Sequence, residues 1–74
     1  MDSFNRAIHV CEEFSEHIYS DIERGTILLN VDREWFSFLS DRLFPLGYKL
    51  LHKTSMENSI TCVFMDKMSV KRFK

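Results

Sequence analysis

Two glycines, Gly25 and Gly47, and one proline, Pro45, are the only strong backbone breakers in this chain. A loop that cradles phosphates needs several glycines whose amides can approach the anion, so nucleotide sites of that kind are excluded. The two cysteines, Cys11 and Cys62, stand far apart with no Cys-x-x-Cys spacing, which argues against thiol–disulfide chemistry and against a zinc knuckle. Their apolar neighbours disfavour the thiolate, so neither reads as a nucleophile. No serine sits on a strand-turn-helix elbow. No apolar run approaches the roughly 20 residues that cross a bilayer. The opening MDSFNRAIHV is polar and acidic, without the apolar centre of a secretory leader. These absences lead us to expect a cytoplasmic protein with reduced, structural cysteines, no metal, no cofactor and no enzymatic activity.

What is present is apolar and aromatic. Of 74 residues, 45% are hydrophobic and 14% aromatic, which suits one folded domain spanning residues 1–74. A chain of this length buries only about 60% of the surface its unfolded form exposes, so each large apolar residue left outside needs a reason. The formal charge of −1 conceals a gradient. Residues 1–32 carry seven acids against Arg6 and Arg24, whereas residues 33–74 carry eight bases against Glu34, Asp41, Glu57 and Asp66. Such halves either pair within the molecule or leave a polarised surface that steers a charged partner.

Periodicity places five elements. Phe4, Ala7, Ile8, Cys11, Phe14, Ile18 and Ile22 recur every three or four residues, which predicts a helix capped by Ser3 and ended by Gly25. TILLNV (26–31) reads as a strand, after which Asp32 stands where a helix N-cap belongs. The second helix carries Trp35, Phe36, Phe38, Leu39 and Leu43 on a wide apolar sector, and Pro45 stops it at Phe44. Trp35 is read as a core residue; Phe44 falls almost opposite the stripe and is read as an exposed anchor. YKLLHKT (48–54) and ITCVFMD (60–66) read as strands joined by SMENS. The ending KMSVKRFK (67–74) holds four of the ten basic residues and is open between a frayed tail, an edge strand and a turn of helix. The expected fold is thus α/β in the α+β sense, a single two-layer sandwich. Its order is α-β-α-β-β, with two helices on one face of a three-stranded mixed sheet.

Strand alternation then separates two faces. With Ile27, Leu29, Val31, Leu50, Ile60, Cys62 and Phe64 towards the helices, the reverse face receives Leu28, Lys49, Leu51, Lys53, Thr61, Val63 and Met65. Leu28, Leu51, Val63 and Met65 break the clean polar alternation of a solvated face, and Lys49 and Lys53 rim them, a pattern common in interfaces. With Phe44 these form the expected partner-binding set.

Other constellations carry less. His9, Glu13 and His17, four apart on the first helix, offer paired ligands but no third from elsewhere, and serve better as helix-stabilising pairs. His52 falls on the inward parity of its strand as a half-buried histidine. Lys67, Lys71, Arg72 and Lys74, with Tyr48, Phe64 and Phe73 as stacking rings, make nucleic-acid binding the alternative, against an acidic overall balance. In size, aromatic richness and want of a catalytic motif the chain resembles the short accessory proteins of bacteriophages. That resemblance implies a protein that binds and modulates or inhibits a host protein. The expectation is therefore a small protein-binding module, in one version homodimeric.

Overall fold

The computed structural model describes residues 2–67. The elements run α1 (Asp2–Glu12), β1 (Ile18–Asp21), β2 (Thr26–Asp32), a 3-10 turn (Arg33–Trp35), α2 (Phe36–Leu43), a second 3-10 turn (Phe44–Leu46), β3 (Tyr48–Ser55) and β4 (Ser59–Asp66). The four strands form one sheet in the order β1-β2-β4-β3, and every hydrogen-bonded pair is antiparallel. The expected α+β sandwich is present, but the three-stranded mixed sheet is corrected to four antiparallel strands. Strand β4 enters between β2 and β3, so the two strands joined through α2 run parallel without touching.

The fourth strand comes from the end of the expected first helix. That helix stops at Glu12, where the amides of Phe14 and Ser15 both donate to the Cys11 carbonyl. Ser15 Oγ then accepts from the His17 amide, turning the chain into β1. At the other end of β1, the Asp21 carboxylate accepts from the amides of Glu23 and Arg24, and Gly25 takes φ of 68°. A side-chain-braced turn with a left-handed glycine makes a hairpin here rather than a helix end. Ile18 still packs against the core, but Ile22 lies exposed in the turn. A spacing of four is served by helix and by strand-plus-turn alike, which is why the pattern misled.

The remaining boundaries fall close to expectation. Asp32 starts the 3-10 turn yet makes no side-chain capping bond, because it is also the last residue of β2 and pairs across to Ser59. Pro45 enters the turn after α2, and Gly47 at φ 89° reverses the chain into β3. Both helices cover the same sheet face: Ala7, Val10 and Cys11 of α1 and Leu39 and Leu43 of α2 share one buried cluster with Ile27, Leu29, Val31, Ile60, Cys62 and Phe64. Tyr48 joins them, buried.

The strongest correction to the register lies in β3. Leu50 pairs with Phe64, but His52 rather than Leu51 pairs with the next residue, Val63. Leu51 is the extra residue of a β-bulge, and beyond it every side chain changes face. His52 therefore lies on the open face, where its Nε2 is 3.3 Å from Thr54 Oγ1. Lys53 pairs with Cys62 on the helix side, its ammonium 5.1 Å from the centre of the Phe36 ring.

Neighbouring Leu28 and Leu29 report directly on this two-faced sheet. Leu29→Ala opens a cavity in the core and is expected to cost about 2–5 kcal/mol in urea denaturation. Leu28→Ala is expected to cost less than about 1 kcal/mol. Equal losses would mean that β2 is out of register by one residue.

Candidate protein-binding surface

Register assembles the open face row by row. Tyr19 of β1 stands opposite Leu28 of β2, Leu28 opposite Val63 of β4, and Val63 opposite His52 beside the bulged Leu51 of β3. Tyr19 is 70% exposed, Leu51 53% and Leu28 37%, and Val63 is half-buried between its neighbours. An apolar row thus crosses all four strands. On one side of it the face is polar and internally bonded, with the Asn30 amide donating to Ser59 Oγ (3.1 Å) and Thr61 Oγ1 (3.0 Å). On the other side Thr26, Met65 and Lys49 stand in register.

The structure brings together Leu28, Leu51, Val63 and Lys49 of the expected set and separates the rest. Met65 has the right parity, yet only 8% of it is exposed. A long side chain on an inner strand, with Thr26 on one side and Lys49 on the other, is shielded more than one at an edge. Lys53 has moved to the other face with the bulge, so the lysine rim reduces to Lys49. Phe44 is exposed as expected, at 63%, but it belongs to the turn after α2, where the Lys67 ammonium lies 4.1 Å from its ring centre. Tyr19 was missed because it was assigned to a helix; the alternation in Ile18–Tyr19–Ser20 was the available signal.

The aromatic residues of the second helix also divide. Phe36 contacts Phe64 over the core, with ring centroids 6.4 Å apart. Trp35 is not the expected core residue: it lies in the 3-10 turn before α2 and is 45% exposed, with Phe14 and Phe38 beside it. The 3-10 turn winds more tightly than an α-helix and so rotates Trp35 off the stripe that α2 buries.

The constellations considered for chemistry come apart. His9 lies 3.4 Å from Glu12, Glu13 bonds through both oxygens to Arg42 at 3.0 and 3.2 Å, and His17 lies beyond the end of α1. Arg42 holds the Glu13 carboxyl below its ordinary pKa through that hydrogen-bonded pair, and this ion pair joins the acidic and basic halves. Among the described residues no group of three His, Cys, Asp or Glu side chains could hold a metal ion. Tyr48 and Phe64, considered as stacking rings, are buried in the core and cannot meet a base. Of the basic residues in the alternative, Lys67 sits over Phe44, and Lys71, Arg72 and Lys74, like Phe73, lie outside the described residues. No helix is long and apolar enough to cross a membrane among the described residues.

Both thiols are buried, and the Cys62 thiol faces the Leu29 carbonyl at 3.6 Å. Burial pushes Cys11 up to about 12 and Cys62 to about 11, and raises the Tyr48 phenol to about 12. No protein family model, curated protein or solved structure matches the chain.

These raised values carry a pH dependence whose sign follows from proton counting. Between the ordinary and the folded pKa the native state holds protons that the unfolded chain has lost, so stability falls as pH rises. The urea midpoint is expected to be flat from about pH 6 to about pH 8 and to decline between about pH 9 and pH 11. A midpoint that held constant to about pH 11 would contradict the burial of these groups.

Proposed function

We propose that this chain is a non-enzymatic binding module that engages another protein through the open face of its sheet. The observation that supports this reading is the exposed row Tyr19–Leu28–Val63–Leu51, continuous across four strands. Solvated antiparallel faces alternate towards polar residues, and a contiguous apolar band in a domain this small lowers its free energy when covered. Polar flanks at Asn30, Thr61 and Thr54 and the cation of Lys49 supply the rim. The resemblance to phage accessory proteins adds the expectation of a host protein as partner, met in the cytoplasm.

Dimensions set the strength. Strands about 4.8 Å apart, seven or so residues long at about 3.3 Å per residue, make a face roughly 15 by 23 Å. That is well below the ~800 Å² per partner of a standard interface, so self-association through it is weak and concentration-dependent. A second copy is the simplest occupant, because a two-fold axis sets the row against itself.

Sedimentation over a wide concentration range should show a reversible dimer that Leu28→Glu or Leu51→Glu abolishes without loss of fold. A strict monomer at high concentration would remove the dimeric version. Capture of a partner protein that survives Leu28→Glu unchanged would remove the sheet-face reading altogether.

A further inference from the structure

A second surface lies where the end of α1 meets the turn into α2. Trp35 stands between Phe14 and Phe38, with ring centroids 6.5 and 5.6 Å away, and Phe38 is itself exposed. Glu13, Phe14, Asp32 and Trp35 line a cleft there. A neighbouring hollow, lined by Asp32, Arg33, Glu34, Glu57 and Asn58, shares Asp32 with it. Together they are lined by four carboxylates and one guanidinium, that of Arg33, and the guanidinium of Arg42 reaches Glu13 from α2. Each guanidinium is already engaged: Arg42 with Glu13, Arg33 with the Met56 carbonyl. None of the ion pairs among the described residues uses Asp32, Glu34 or Glu57.

We propose that this acid-rimmed aromatic cleft docks an arginine- or lysine-bearing segment of a partner protein. An indole is the best side-chain acceptor for a cation above its face. The fold already uses this chemistry twice, with Lys53 over Phe36 and Lys67 over Phe44, while Trp35 has no such cation among the described residues. A wholly apolar occupant would strip water from Asp32 and Glu34 without replacing it, and a nucleic acid would bring phosphates against them. A cationic side chain lying over Trp35 with its charge towards Asp32 satisfies both parts of the cleft. The site is separate from the apolar row on the sheet and does not depend on that row being an interface.

Trp35 is the only tryptophan in the chain and therefore a built-in reporter. Titrating the full protein with an oligoarginine peptide at low salt should give a saturable change in Trp35 emission that salt weakens and an oligoglutamate peptide does not produce. Asp32 makes no capping bond, so the double variant Asp32→Asn with Glu34→Gln should keep the fold and bind about tenfold more weakly. Trp35→Leu, followed by calorimetry, should weaken binding by a similar factor. Glu23→Gln, in the β1–β2 turn, and Leu28→Glu, on the sheet, should each change it less than about twofold. No saturable change at low salt would overturn the proposal. So would an equal loss in Glu23→Gln, which would mean diffuse attraction, or full affinity in the Asp32/Glu34 double variant.

Discussion

The pairing of β4 with β2 on one side and β3 on the other is the interaction on which the rest of this structure depends. Its inward residues Ile60, Cys62 and Phe64 are central to the core, and its outward Val63 joins the apolar row of β1 and β2 to the bulge of β3. Antiparallel pairing on both edges lets a short hairpin supply the centre of the sheet, while the connection through α2 spans it from outside. Both helices consequently lie over one face, and the other is left to solvent or to a partner.

The bulge at Leu51 decides which charges accompany that open face. Without it, Leu51 would pair with Val63, His52 would enter the core side and Lys53 would stand on the open face opposite Thr61. With it, the imidazole goes outward to Thr54 and the lysine turns inward, where its stem and ammonium cover Phe36. A single inserted residue thus removes a cation from the open face and places it over an aromatic ring. It also interrupts the longer edge strand, which blunts that edge against unwanted strand addition.

Much of this was legible in the residues. Alternation in 26–31, 48–54 and 60–66 located three strands to within a residue, and Asp32, Pro45 and Gly47 bracketed the second helix. The reverse-face assignment of Leu28 and Val63 followed from period two alone and agrees with the register. The failures have physical causes. Phe14, Ile18 and Ile22 keep a helical spacing, but Ser15 and Asp21 offer side-chain oxygens to nearby amides, and those local bonds won over helix continuation. The bulge leaves no mark in YKLLHKT, which holds no glycine or proline to announce it. Trp35 leaves the core because a 3-10 turn, rather than an α-helix, follows Asp32.

The account rests on a sheet whose two faces are separated by that bulge, and proton–proton contacts in solution test it most directly. Nuclear Overhauser spectra should connect the Phe36 ring to the Lys53 side chain, and should connect Tyr19, Leu28 and Val63 in series with Leu51 or His52. Contacts from His52 to Phe36, with Lys53 opposite Thr61, would contradict it.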